Sequence, residues 1–291
     1  MKFTKKMVLS VLTLVITVFA LGTGVFAWFT INNTTSVSDL SGTVQSGTGG
    51  FLISTNGEDW NTALDLSGIT VKGDSFTDLT SEDGKTFKSL NNDSVATGYI
   101  EFDLHFLIGT TFNRINLSDL TVSSEETSWK SDVEVTLDKK YNVGDAIKNY
   151  ASNAARISIE NQKNDVTVFE QSQTAVGNTS GVATETNNYA FIYYNALATK
   201  TGKTALNFAN ASALTTDGHA RVGEEAFTSI EISDAIEVPS TITVKEEDTK
   251  AGYTKYAKIT VRVWIEGWDG EAFNAILGGK LNLNFTFTAA E

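Results

Sequence analysis

Leu281-Asn-Leu-Asn-Phe-Thr-Phe-Thr288 decides the fold class, because four large apolar side chains alternate without a break with four small polar ones. A repeat of two puts Leu281, Leu283, Phe285 and Phe287 on one face of an extended chain. Asn282, Asn284, Thr286 and Thr288 fall on the other, as a half-buried antiparallel strand requires. The same pattern recurs upstream. Ile259, Val261, Val263 and Ile265 alternate with Thr260, Arg262 and Trp264. Ile100, Phe102, Leu104, Phe106 and Ile108 alternate with Glu101, Asp103 and His105. Val133, Val135 and Leu137 repeat it, as do Ile230 with Ile232 and Ile242 with Val244. Turns rich in Gly, Asn, Asp and Ser separate these segments. Together they predict an all-β fold with minor helices, an antiparallel β-sandwich that is jelly-roll-like.

Two helices are expected within it. Val143, Ile147, Tyr150 and Ala154 follow a 4-3-4 spacing, which predicts an amphipathic helix near 143–155. Asp269 is placed to cap a short helix carrying Phe273, Ile276 and Leu277, stopped by Gly278-Gly279. No repeat of fixed period and no linker is evident over 50–291, so that stretch reads as one elaborated sandwich domain.

The N-terminus is different in kind. Lys2, Lys5 and Lys6 precede an apolar run from Met7 to about Leu21, and Val25-Phe26-Ala27 supplies a small-residue ending. Residues 1–27 therefore read as a signal peptide cleaved between Ala27 and Trp28. The alternative is an uncleaved anchor, since the uncharged run reaches Phe29 and is long enough to span a bilayer. Residues 28–49 follow as a polar, strand-forming arm rich in Ser, Thr, Asn and Gly. Without the three leader lysines, the 22 basic side chains fall to 19 against 35 acidic ones, a net charge of −16. Such a surface repels nucleic acid. The chain has no cysteine, which excludes disulfide staples and thiol catalysis.

Gly24-Val-Phe-Ala-Trp-Phe-Thr30, with Ser41-Gly42-Thr43-Val44 after it, resembles the leader ending and first strand of proteins processed by the SipW-type signal peptidase of Gram-positive bacteria. The resemblance is to the surface and matrix proteins of the TasA and camelysin (CalY) groups. Arg262-Val-Trp-Ile-Glu-Gly-Trp-Asp269 with Asn274-Ala-Ile-Leu-Gly-Gly-Lys-Leu281 is similar to their closing segment, and Phe51-Leu-Ile-Ser-Thr-Asn-Gly-Glu-Asp-Trp60 is a third echo. These patches cover about a fifth of the chain, and residues 110–225 resemble nothing in that family. The resemblance implies a secreted protein of the cell surface or biofilm matrix, with itself, other matrix proteins and the SipW-type peptidase as partners.

Specific chemistry is not legible. His105 and His219 are the only histidines and lie outside any His-Glu-x-x-His pattern, so the peptidase label of camelysin-type relatives is not carried over and no catalytic or metal residue is assigned. Gly84-Lys85-Thr86 and Gly202-Lys203-Thr204 lack the upstream glycine of a phosphate loop. Gly177-Asn-Thr-Ser-Gly181 lacks the serine of a nucleophile elbow. Asn56-Gly-Glu-Asp59, Ser81-Glu-Asp-Gly84 and Trp268-Asp-Gly-Glu271 offer oxygen ligands to calcium without the spacing of a calcium loop, and read as solvated turns. Trp264 and Trp268 are candidates for surface aromatic contact with a glycan, or for filling a sandwich rim.

The leading expectation is thus a non-enzymatic, secreted structural protein, a subunit of extracellular fibres or of a surface matrix. It would assemble by donating the arm to a neighbour, with Phe29, Ile31, Val37 and Leu40 inserting. The arm folding back as the first strand of its own sandwich is the competing state. The alternative function is an adhesin or glycan-binding sandwich, and a camelysin-like peptidase comes third.

Overall fold

The computed structural model describes residues 40–46, 50–73, 75–172, 174–178, 185–213, 220–222 and 229–291. Its strands run β1 (Leu40–Ser46), β2 (Phe51–Ser54), β3 (Ala63–Asp65), β4 (Asp78–Thr80), β5 (Phe87–Ser89) and β6 (Ser94–Val95). Then come β7 (Ile100–Gly109), β8 (Arg114–Ser123), β9 (Glu126–Lys130), β10 (Val135–Thr136), β11 (Lys140–Tyr141) and β12 (Ala146–Tyr150). After these follow β13 (Ala155–Asn161), β14 (Val166–Gln171), β15 (Ala220–Val222), β16 (Ile230–Asp234) and β17 (Ile236–Glu237). The two long strands β18 (Tyr253–Glu266) and β19 (Leu281–Ala290) close the chain. Three helices interrupt them, α1 (Ala151–Ala154), α2 (Tyr189–Thr201) and α3 (Glu246–Lys250).

The expected alternation builds a sandwich. The smaller sheet has the order β16-β8-β19-β1-β3. The larger runs β15-β14-β13-β18-β4-β5-β6, with β7 and β17 also on β18 and β2 on β7. Leu281, Leu283, Phe285 and Phe287 of β19 face Ile100, Leu104, Phe106 and Ile108 of β7 in one core, each fully shielded from solvent. Phe106 meets Phe287 edge to face across the sheets at 5.0 Å. Most pairings are antiparallel as expected, but β1 with β19, β14 with β15 and β4 with β18 are parallel, so the sheets are mixed.

The two outward faces differ in chemistry. On the larger sheet Glu101, Asp103, Lys258, Glu160 and Arg262 form ion pairs: Arg262 reaches Glu101 at 2.5 Å and Glu160 at 2.8 Å, and Lys258 reaches Asp103 at 2.7 Å. Burial alone would raise the Glu101 carboxyl, but Lys72 and Arg262 together hold it below the usual range. On the smaller sheet the outward residues of the three central strands are mainly Ser, Thr, Asn and Gln. Ser41, Asn282 and Ser123 share one rung, Thr43, Asn284 and Thr121 the next, and Gln45 lies beside Thr286.

A further layer covers part of the larger sheet. Val133, Val135, Tyr141 and Ile147 pack with Tyr193, Leu197 and Phe273 in a second core. Three expectations are corrected. Residues 146–150 are a strand paired with β9, and only Ala151–Ala154 turn as a helix. Ile147 and Asn149 alternate inward, Gly144 takes φ +89°, and Val143 is 60 % exposed, which a 4-3-4 apolar stripe does not allow. Asp269 does not cap the turn Asn274–Ile276, whose preceding residue Phe273 makes no side-chain cap: Asp269 Oδ1 accepts from the Glu271 amide (3.0 Å), closing the turn before it, and Oδ2 pairs with buried Arg156. Ile242 and Val244 are not a strand: Ile242 closes a turn on the Pro239 carbonyl (2.9 Å).

Candidate assembly edge and buried charge cluster

Of the residues expected to insert, Leu40 alone lies within the described residues. Ala27, Trp28, Phe29, Ile31 and Val37 lie outside the described residues. Leu40 itself is paired in register with Leu281 of its own chain, at the start of β1, so it is not a donated residue. The arm therefore ends before residue 40, and the segment 40–46 belongs to the sandwich. The reason is local. Val44 is fully buried in the core, and Gly42, at φ +150°, approaches β19 so closely that a Cβ would lie 1.7 Å from the Leu283 carbonyl oxygen. Only glycine permits that contact.

On the side away from β19, β1 meets β3, and their register covers only Thr43, Val44 and Gln45. The amide of Leu66 extends the contact by donating to the Gly42 carbonyl (3.0 Å). Among the described residues the sheet ends there, with a seven-residue strand behind a three-residue edge.

Trp264 and Trp268 offer no surface. Their exposures are 1 % and 2 %. The Trp264 ring packs edge to face on Phe87 at 5.3 Å, and Trp268 clusters with Phe191 and Ala211. The glycan platform is thus corrected: both rings are covered, Trp268 by α2 and the chain after it. The helix is anchored there, since the Asn188 amide donates to the Trp268 carbonyl (2.6 Å) while its oxygen accepts from the Phe191 amide (2.8 Å).

The turn Trp268–Glu271 is likewise buried, not solvated. Arg156, Glu170, Glu266, Asp269 and Glu271 are each no more than 3 % exposed. Arg156 Nη2 lies 2.6 Å from Asp269 and 3.2 Å from Glu170, and its Nη1 donates to the Ala155 carbonyl (3.1 Å). Burial opposes the guanidinium charge, but Asp269, Glu170 and Glu266 outweigh it and hold the proton more firmly than usual. Glu266 accepts from the Trp264 indole (3.1 Å) and the Trp268 amide (3.3 Å). Burial nevertheless pushes its carboxyl up to about 7, against the pull of Arg156 and those donors. The cluster joins β13, β14 and the turn after β18, and fixes the covering layer to the sheet.

The other motifs resolve as turns. The Gly84 amide donates to Ser81 Oγ (2.9 Å) and Lys85 pairs with Glu160 at 2.7 Å; Gly202, at φ +68°, ends α2. Asn56 Oδ1 accepts from the Glu58 and Asp59 amides, closing an Asx turn. His105 Nδ1 lies 2.6 Å from the Tyr256 hydroxyl, and His219 is outside the described residues. Among the described residues no three His, Asp or Glu side chains are grouped to hold a metal ion. Comparison with family models, curated proteins and solved structures finds no match to this chain.

Proposed function

We propose that the chain is a secreted structural protein, the subunit of an extracellular fibre or surface matrix, and that it assembles through the segment preceding Leu40. The observation that carries this reading is the edge at β1 and β3. Among the described residues, an edge strand of three residues in front of one of seven leaves part of β1 without a partner strand on that side, where a strand can be added. A donated segment gains main-chain hydrogen bonds there and needs no new catalytic or metal chemistry. Residues 28–39, polar and strand-competent, supply Phe29, Ile31 and Val37 as its apolar contacts. Because donor and acceptor are different surfaces, the contact is heterologous, and it propagates as a filament where its rotation does not close a ring. Cleavage between Ala27 and Trp28 by a SipW-type peptidase frees the donor in this scheme.

The test is sedimentation of the chain beginning at Trp28 against one beginning at Leu40. Pelletable polymer from the first and none from the second supports donation; equal polymer from both refutes it.

A further inference from the structure

Helix α2 is attached to the sandwich differently from the strands beneath it. Among the described residues, the paired strands of the covering layer, β9 with β12 and β10 with β11, share no ladder with either sheet of the sandwich. The helix rests mainly on side chains. Tyr193, Tyr194 and Leu197 pack with Val133, Val135 and Phe273, and Phe191 packs with Trp268. Its N-terminus is tied to the turn after β18 by the Asn188 amide on the Trp268 carbonyl (2.6 Å) and by the Ala190 amide on the Gly270 carbonyl (2.8 Å). An element held in this way opens at a lower free energy than strands locked in ladders.

The cluster below carries unequal charge. Asp78 comes from β4, Arg156 from β13, Glu170 from β14, and Glu266, Asp269 and Glu271 from the end of β18 and its turn; each is at most 3 % exposed. Strand β15 brings Arg221 into register beside Glu170. From α2 comes Tyr194, whose hydroxyl is pushed well above its ordinary range by burial and by the charge of Asp78. Arg156 is engaged by Asp269 at 2.6 Å and by Glu170 at 3.2 Å. Glu266 is held instead by neutral donors, the Trp264 indole and the Trp268 amide. Loss of its proton adds a negative charge that no water screens.

We propose that α2 is a lid that opens while the sandwich stays folded, and that proton loss from Glu266 favours the open form. Trp268 joins the two events. Its amide donates to Glu266, its carbonyl accepts from the residue that caps α2, and its ring packs with Phe191 of the helix. Opening lets water reach the carboxylate and uncovers Trp268 together with the apolar side of α2. The folded carboxyl keeps its proton up to about 7 against an ordinary 4.5, so closure is fully favoured below about pH 4.5 and weakens as pH rises through 7. The lid is independent of strand donation, which uses the opposite end of the chain and a different sheet.

Native-state hydrogen exchange of the full chain, resolved by peptide and corrected for the intrinsic pH dependence of exchange, tests it. Amides of α2 should be less protected than those of β7 and β19 and less sensitive to added urea, as partial opening requires. Their protection should fall by at least about tenfold between pH 5 and pH 8, toward a limit of about 70-fold set by the difference between 4.5 and about 7. Glu266→Gln should hold that fall to within about twofold while α2 stays less protected than the strands. Equal protection and equal urea dependence in α2, β7 and β19 overturn the proposal, because the cluster then acts only in global unfolding. Protection of α2 that is constant with pH overturns it, and so does an undiminished fall in Glu266→Gln. The comparison of helix with strands and the pH dependence need only the parent chain, so they decide the matter even where the variant does not fold.

Discussion

Replacing Glu266 by Gln gives the sharpest expectation about the buried cluster. The carboxyl is 1 % exposed and holds its proton up to about pH 7, against an ordinary value of 4.5. A folded state that binds a proton more tightly than the unfolded chain is favoured where that proton is present. The contribution of Glu266 is therefore complete below about pH 4.5 and is lost as pH rises through 7. A difference of about 2.5 units at 1.36 kcal/mol each sets the loss at about 3 kcal/mol by pH 9. Glutamine stays neutral throughout. It retains one acceptor oxygen where the glutamate offers two, one to the Trp264 indole and one to the Trp268 amide, which costs about 1–2 kcal/mol at every pH. The difference in unfolding free energy between variant and parent should thus move by about 3 kcal/mol in favour of the variant between pH 5 and pH 9. Urea titrations followed by tryptophan fluorescence at those two pH values measure it. Parallel stability curves for the two proteins would refute the burial argument, whatever their absolute offset.

Three further outcomes follow from the same structure. Arg156→Met leaves Asp269 and Glu170 buried without their base and should cost about 3–5 kcal/mol by urea unfolding at pH 7. Gly42→Ala drives a Cβ into the Leu283 carbonyl and should cost at least about 3 kcal/mol, with amide exchange in β1 rising to match; Gly144→Ala, with open space around its Cβ, should cost about 1 kcal/mol. Trp268→Ala should lower stability by about 3–5 kcal/mol and expose the N-terminus of α2 to hydrogen exchange, because the ring fills a core against Phe191.

The parts of the fold that the sequence revealed are those where one strand carries its own evidence. Over Ile100–Ile108 of β7, Ile259–Ile265 of β18 and Leu281–Phe287 of β19 every second residue is large and apolar, so the core face is visible without knowing the neighbours. Where two periods fit the same residues, local reading fails. Val143, Ile147 and Tyr150 satisfy a helical spacing, yet Ile147 and Asn149 satisfy a period of two, and pairing with Trp129 and Thr127 decides between them. Helix α2 was missed because Tyr189–Thr201 buries residues around much of its circumference and shows no clean stripe. Its signals were the capping Asn188 and the terminating Gly202. The charge cluster was invisible for a different reason. Arg156 and Asp269 are 113 residues apart, and whether Trp268–Glu271 faces water depends on the covering layer that α2 builds. The polar run of the arm extends past Leu40, and the glycine two residues later marks where β1 has already joined the sheet.

Cryo-electron microscopy of polymer formed by the chain beginning at Trp28 bears most directly on the assembly. Donation requires density for residues 28–39 hydrogen-bonded along the β1–β3 edge of an adjacent subunit, with Leu40 still opposite Leu281 of its own chain. Density showing residues 28–39 paired within the subunit that carries them would contradict it.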